Sequence, residues 1–548
     1  MTGRQSFWDS EGTLQSVMRT QLGSAFEKAK PRLKAMGDRS ANEGSDWAQL
    51  ADHQGPRLVT HDAWGNRVDQ IEYHPSYRWL QQLGYGGGIV AASYDPALAA
   101  ERGDAPKALT FGLGYLFGQA ESGMYCPVCM TDGAGRLLRM HGTPALRDRF
   151  IPRLASMDMD TLYTGAMFLT EKEGGSDVGQ VKTIAKGQGE TVTLHGEKWF
   201  CSNVDADVIM ILARPEGAGA GTSGLGLYLL PRTLDDGKTR NGYRIDRIKD
   251  KLGERSMPTG EVTLLGAEAY LLGGPGQGFR QMTDMLNLSR LYNAVASVAC
   301  MRRAVIEAIA WSRERVAFGK PVVEHPLMTE TLLDMASEQR AALHWSFRGV
   351  ALLDKVDGGR ATEEEKRTLR ILTPLLKYVL GKRAVAVCSE GVEALGGNGY
   401  IEDWPLARVL RDAQVLPIWE GTTNVLVLDA FRAVRKEAAH EVLYAEVERC
   451  TAEAPPDLQA RLTQLLDEVK QGLVTLSSDP KAEHCLRDWT DRAALLWQVS
   501  LCCSKKLGAG SAWDVRAARR LLARHAPASL LRTERATVEE LDGVFQAV

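Results

Sequence analysis

At 548 residues the chain is too long for one hydrophobic core, and three or four domains are expected. Its 44% hydrophobic and 25% charged residues are those of an ordinary soluble protein, and no apolar run approaches the roughly 18–20 residues that span a bilayer. A net charge of −3 argues against general nucleic-acid affinity and for a neutral or locally basic binding site.

The amino terminus, Met1 to Asp9, lacks a basic flank followed by an apolar core, so it reads as neither a signal nor a transit peptide. Nine cysteines, few and odd in number, point to reduced thiols in a cytoplasmic protein. Cys126-Pro127-Val128-Cys129 has a metal or redox spacing, but no second pair completes a site, and packing is the better reading. Cys502 and Cys503 read as core.

Residues 1–157 are expected to be a mostly helical domain. Phe26 to Leu50 and Tyr77 to Leu83 carry helical spacing, with a hairpin between them over Arg57 to Val68. Ala108 to Gly133 reads as an apolar helix running into a loop. Over 158–280 the period changes. Leu162–Thr170, Thr191–Gly196, Val208–Ala213, Leu225–Leu230 and Glu261–Leu265 are short β-rich runs separated by Gly, Asp and Pro, as in a small barrel or sandwich. Over 281–440 the helical period returns, with an apolar stripe of Met282, Met285, Leu286, Leu291, Val295, Val298 and Met301 and three further helices over Leu327–Asp354, Glu364–Glu390 and Thr423–Glu437. Four long helices with short links imply a bundle. Residues 441–548 read as a further helical domain.

Several loops carry chemistry. Thr170-Glu171-Lys172-Glu173-Gly174-Gly175-Ser176-Asp177 follows a strand, and its glycines let backbone approach a ligand. Gly196-Glu197-Lys198-Trp199-Phe200-Cys201-Ser202 places aromatic rings beside hydroxyls. Arg315-Val316-Ala317-Phe318-Gly319 joins a guanidinium to a ring, and Glu393-Ala394-Leu395-Gly396-Gly397-Asn398-Gly399 supplies bare backbone. Trp419-Glu420-Gly421-Thr422-Thr423-Asn424 sets a carboxylate at the mouth of a helix. Alone, that last stretch reads as a helix start with Thr422 or Thr423 as N-cap and a solvated Glu420. In the company of the other four loops it reads as a base.

In this order the five motifs resemble the acyl-CoA dehydrogenase flavoprotein family over about residues 100–440. Tyr73-His74-Pro75, Ser122 to Pro127 and the long tail resemble its AidB-like branch, of which related worm proteins bind fatty acyl-CoA. The resemblance implies a mainly α fold with a central β-domain: an N-terminal helical domain, a middle β-barrel, a C-terminal helical bundle and an extra C-terminal helical domain. It implies FAD, an acyl-CoA substrate, a role in fatty acid metabolism, an electron-transfer flavoprotein or similar acceptor and a homotetramer. By position Met167, Leu169 and Thr170 would line the flavin, Gly175 and Ser176 would meet pyrophosphate and thioester, and Phe200 and Ser202 would cover the ring. Arg315, Phe318, Glu393 and Gly397 would hold the ADP half, and Thr422 and Asn424 would face the cofactor. Ala317, Glu393 and Phe200 depart from the commoner hydroxyl residue, Gln and Trp.

The resemblance makes Glu420 the base for an acyl α-proton, with its backbone N–H at the thioester oxygen. Some members carry the base on the first bundle helix, where this chain has Leu288-Ser289-Arg290, and a serine cannot serve. Arg290 and Arg432 are candidates to orient Glu420 or to meet CoA. The branch also implies DNA binding through a basic tail, but residues 441–548 hold 14 basic against 16 acidic residues, a net of −2. A cluster of Lys505, Lys506, Arg516, Arg519, Arg520, Arg524, Arg532 and Arg535 remains, best read as a solvated helix face or a subunit contact. Three functions stay in play: an acyl-CoA dehydrogenase, a DNA-protecting flavoprotein and a protein that sequesters acyl-CoA.

Overall fold

The computed structural model describes residues 5–274, 276–478, 480–526 and 537–543. They fall into two compact units that alternate along the chain. One takes residues 43–99 and 121–289; the other takes 1–42, 100–120 and 290–548.

The first of these is built on strands. A hairpin pairs β1 (Arg57–His61) with β2 (Arg67–Glu72). Its turn is held by Asp62, whose Oδ1 accepts from the Trp64 and Asn66 N–H groups at 2.9 and 2.8 Å. The main sheet contains β3 (Gly165–Phe168), β4 (Ile184–Lys186), β5 (Thr191–Ser202), β6 (Val208–Pro215), β7 (Gly226–Pro231), β8 (Tyr243–Ile248) and β9 (Thr259–Leu272). Pairings β6–β4, β4–β5, β5–β9, β9–β7 and β7–β6 close a ring, so this is a small barrel, with β3 added parallel to β6 and β8 added to β9. Ile209, Met210, Ile211, Leu212, Leu227, Leu229 and Leu264 fill its core.

The strand expected at Glu261–Leu265 extends to 14 residues in β9. Two strands of this sheet escape the sequence reading. β4 has only three residues, and in β8 an irregularity between Ile245 and Arg247 breaks the alternation, leaving Asp246 and Arg247 both exposed. The apolar helix expected over 108–133 is in fact two helices, Pro106–Gly118 and Tyr125–His141. Pro127 sits in the first turn of the second, where its missing N–H costs nothing. Within that helix the Thr131 hydroxyl accepts from the Gly165 N–H at 2.9 Å and so fixes the start of β3.

The other unit is helical. Four of its helices, Gly278–Glu314 (from residue 290), Pro326–Asp357, Glu363–Ala394 and Thr423–Glu437, are referred to below as the first to fourth bundle helices. The third opens with a capping box in which Thr362 and Glu365 exchange backbone hydrogen bonds. Gly349 marks a tight crossing: a Cβ there would lie 2.8 Å from Leu376 and 3.0 Å from Leu291, so a side chain would push three helices apart.

The tail adds Ala439–Thr451, Pro456–Ser478, Leu486–Leu501 and Ala512–His525, packed on the bundle through charge. Asp514 meets Arg340 at 2.6 Å and His344 at 2.9 Å, and Arg348 meets Glu446 at 2.7 Å. The basic helix face expected to be solvated is largely neutralised. Arg516 pairs with Glu540, Arg519 with Asp457 at 2.9 Å, buried Arg520 with Asp334 at 3.1 Å and exposed Arg524 with Asp334 at 3.2 Å. Arg532 and Arg535 lie outside the described residues.

Glu338 makes part of this packing pH-dependent. Burial alone would push its carboxyl up, but Arg383, 2.8 Å away, and His525 outweigh that and hold it at about 2. Because the folded carboxyl titrates below the unfolded one, its contribution of roughly 3 kcal/mol is whole above pH ~4.5 and is lost as pH falls towards 2. Glu338→Gln should melt at lower temperature at neutral pH and lose less than the parent between pH 5 and 3. Parallel melting curves with the same acid sensitivity would remove Glu338 from the explanation.

Candidate functional site

In the barrel unit, alternation buries Ala166 and Phe168 and leaves Met167 and Leu169 half-buried on the opposite face. The loop that follows is pinned from behind. Lys198 and Glu171 form an ion pair at 2.7 Å with side chains 0% and 6% exposed. The ammonium also donates to the Leu169 and Leu212 carbonyls at 3.3 and 3.0 Å. Glu171 accepts from the Lys182 N–H and the Thr183 hydroxyl at 2.7 and 2.6 Å. Burial pushes the Glu171 carboxyl up; Lys198 and Thr183 outweigh it, and the group sits below the usual carboxylate range. Thr170 is therefore carried on a segment with little freedom.

A bulge in β5 serves the same site. Lys198 and Cys201 both point inward, so the extra residue turns Trp199 and Phe200 both outward. Their rings meet edge to face at 6.4 Å. Trp199 is covered by Lys249, 3.6 Å from its ring centre, whereas Phe200 stays 53% exposed. The Ser202 hydroxyl lies 3.3 Å from that of Thr259. Asn203, which closes the Gly196-to-Asn203 motif and had no role of its own there, adopts φ 53° and donates to the Gly165 carbonyl at 3.0 Å, tying β5 to β3. Gly175 and Ser176 are exposed on the loop itself. Ser289 is buried, its hydroxyl 3.3 Å from the Cys129 sulfur.

In the helical unit, Arg315 is exposed just past the first bundle helix, beside a hairpin of β10 (Val316–Ala317) and β11 (Lys320–Pro321). Phe318 and Gly319 at its tip both have positive φ, 51° and 82°, as a type I′ turn requires. Phe318 is 96% exposed, so a bulky residue is held in an unfavourable conformation with its ring uncovered. Glu393 is exposed, and a Cβ on Gly397 would meet nothing within 4 Å.

The Glu420 turn is the most constrained feature. Glu420 is half-buried with φ 58°, and Gly421 follows at φ 104°. Three side chains hold the turn's carbonyls. Asn293 donates to Leu416 O at 3.1 Å, Arg290 to Glu420 O at 3.2 Å and Lys377 to Gly421 O at 2.6 Å. Arg290 is fixed in turn by Asp429 at 2.7 Å. Burial pushes Asp429 up, but Arg290 and Arg370 outweigh it and keep the carboxyl below its ordinary range. Trp419 is half-buried, with its Nε1 unbonded among the described residues. Thr422 occupies the N-cap place of the fourth bundle helix without a side-chain capping bond, so its hydroxyl is not spent as a cap, and Asn424 is exposed in the first turn. Arg432, on the same helix, is 61% exposed and 3.7 Å from Asp429.

Within the barrel unit, an open Phe200 ring near the Ser202 hydroxyl suits a planar heteroaromatic ring; within the helical unit, the exposed Arg315 guanidinium and bare Gly397 backbone suit a phosphate-bearing group. Comparison with known proteins gives the family. The chain is 34% identical over 413 residues to the putative acyl-CoA dehydrogenase AidB of Escherichia coli, covering 74% of each. The chain belongs to the acyl-CoA dehydrogenase family. Family models match in order: the adaptive response protein AidB N-terminal domain over 2–161, the acyl-CoA dehydrogenase middle domain over 166–266 and the acyl-CoA dehydrogenase C-terminal domain over 276–435. Acyl-CoA dehydrogenase family member 11 of Caenorhabditis elegans is 38% identical over 75% of this chain and 67% of its own length. The crystal structure of Caenorhabditis elegans ACDH-11 in complex with C11-CoA superposes with a TM-score of 0.89, at 32% identity over 99% of this chain and 95% of that one. The acyl-CoA dehydrogenase fold, with helices flanking a central β-domain and extra helices at the end, is thus shared. Among the described residues no helix is long and apolar enough to cross a membrane.

Lys377 and Asn293 were not singled out in the sequence, although each is a lone polar residue in an apolar helical run. Lys198 and Glu171 lay within quoted motifs without a role.

Proposed function

We propose that this protein removes hydrogen across the α,β-bond of an acyl-CoA thioester, with Glu420 as the base. The observation that carries the reading is the Glu420 turn: a carboxylate with positive φ, half-buried beside Trp419, whose backbone is held at three carbonyls. A helix cap needs no such support; a base aimed at a weak carbon acid does.

Glu420 takes the α-proton as the α C–H bond breaks and a double bond forms to the β-carbon. Its N–H would bind the thioester oxygen, where negative charge develops. FAD, when bound, supplies the acceptor for the β-hydride. By the family resemblance Met167, Leu169, Thr170, Phe200 and Ser202 would line its ring, Gly175 and Ser176 would meet the pyrophosphate and thioester, and Thr422 and Asn424 would face the cofactor. Arg315, Phe318 and Gly397 suit the ADP half; Glu393 is an exposed carboxylate that would have to avoid phosphate. Arg290 acts on the Glu420 turn, and exposed Arg432 is a candidate for CoA phosphate. Ser289, buried against Cys129, cannot serve as the base that some family members carry on the first bundle helix.

We also propose a cytoplasmic homotetramer that serves fatty acid metabolism and passes electrons to an electron-transfer flavoprotein or similar acceptor. Its domains would be 1–157, 158–280, 281–440 and 441–548. The paired arginines of the tail give no support to DNA binding. An anaerobic titration of the purified protein with acyl-CoAs of graded length and branching tests the reading. At least one should bleach the flavin stoichiometrically. Tight binding of thioesters without bleaching would instead mark a sequestering protein, and retention on DNA that fades with salt would revive the DNA-protecting reading.

A further inference from the structure

Lys377 is out of place by ordinary packing rules. It lies in the third bundle helix within the run Ile371-Leu372-Thr373-Pro374-Leu375-Leu376-Lys377-Tyr378-Val379-Leu380, whose members are all buried, and it is itself 0% exposed. A methionine would fill the same space without the cost of taking an ammonium out of water. Such a residue persists where its charge or its donors are needed.

Its donor goes to one atom that matters. Nζ lies 2.6 Å from the carbonyl oxygen of Gly421, the residue directly after the proposed base. The preceding carbonyl, that of Glu420, accepts from Arg290, and Leu416 O accepts from Asn293. Consecutive residues at φ 58° and 104° form a turn that the chain does not favour by itself, Glu420 least of all. Fixing the carbonyl on each side of the Gly421 α-carbon removes the rotations by which this turn would relax.

We infer that Lys377 is a positioning residue: by clamping the Gly421 carbonyl it fixes the direction of the Glu420 carboxyl and N–H, and its charge steadies the Glu420 carboxylate. The inference deepens the dehydrogenase reading and rests on it for its catalytic part. The groups that act on Lys377 are Glu420 from the turn, Arg290 from the first bundle helix and Lys382 from its own helix. Burial, chiefly, lowers Lys377 to about 7; Glu420 opposes this, and the two cations add to it.

The test uses full-length, FAD-loaded protein and the variants Lys377→Met, Lys377→Gln and Lys377→Arg. Hydrogen–deuterium exchange is followed on the peptide spanning residues 416–424, and flavin bleaching on mixing with an acyl-CoA that bleaches the parent. In Lys377→Met the turn should exchange about tenfold faster. Bleaching should slow about a hundredfold, while the Kd for acyl-CoA stays within about threefold. The acid limb of the rate profile should move to higher pH, because a carboxylate that loses a nearby cation is easier to protonate. Lys377→Arg, which keeps charge and donors, should recover most of both signals. Should Lys377→Met fail to fold, Lys377→Gln carries the same comparison, since its shorter amide cannot supply the charge. Unchanged exchange at 416–424 in a folded variant overturns the clamp, and faster exchange with unchanged bleaching overturns its role in positioning. If no thioester bleaches the parent, the dehydrogenase reading fails; the clamp is then decided by the exchange data alone.

Discussion

Glu420→Gln should bind acyl-CoA as the parent does and bleach its flavin about 10³-fold more slowly, or not at all. Glutamine has the shape of glutamate and leaves the turn's backbone bonds to Arg290, Lys377 and Asn293 in place, so the loss would report proton acceptance and not collapse of the site. Nothing nearby in the helical unit is equipped to replace it: Asp429, the carboxylate on the fourth bundle helix, is already committed to Arg290 and Arg370 at 2.7 Å each. Stopped-flow absorbance gives the rate, and equilibrium titration the affinity. A variant that bleaches within a few-fold of the parent would show that the α-proton goes elsewhere.

The second large effect is structural and lies in the barrel unit. Lys198→Met strands the Glu171 carboxylate in a site 6% exposed. Breaking a buried pair from one side costs about 3–5 kcal/mol, which for a unit of this size is roughly 10 °C in melting temperature. Because the ammonium also holds the Leu169 carbonyl, Thr170 should lose its fixed place and FAD should be retained poorly. The double variant Lys198→Met with Glu171→Met removes the stranded charge, so it should regain much of the stability while still holding FAD badly. Melting curves and the flavin-to-protein ratio separate the two effects. Equal melting of the single variant and the parent would mean that Glu171 is simply neutralised in place.

What could be read without coordinates was what local pattern encodes. The fourth bundle helix begins and ends at the expected Thr423 and Glu437, and the first runs to Glu314, because each carries an apolar stripe at helical spacing. The five loops stood out because each packs glycine, hydroxyl and aromatic residues into a few positions. What escaped was set by distant partners. β8 alternates only over Tyr243–Asp246, and an irregularity between Ile245 and Arg247, set by its pairing with β9, breaks the period and leaves Asp246 and Arg247 both exposed. Arg520 looked like part of a solvated basic face until Glu330 and Asp334, some 190 positions away, turned it inward. Lys377 and Asn293 look like tolerated polar residues in apolar helices; their worth appears only when the Glu420 turn is laid across them.

The most direct test of the whole reading is the fate of the thioester itself. A saturated acyl-CoA is mixed anaerobically with FAD-loaded protein, and the recovered thioester is weighed by mass spectrometry beside the Glu420→Gln variant. The parent should return a thioester lighter by a pair of hydrogens, in amount equal to the flavin bleached, and the variant should return it unchanged. A parent that binds the thioester tightly and returns it unchanged would contradict the assignment of Glu420 as a working base.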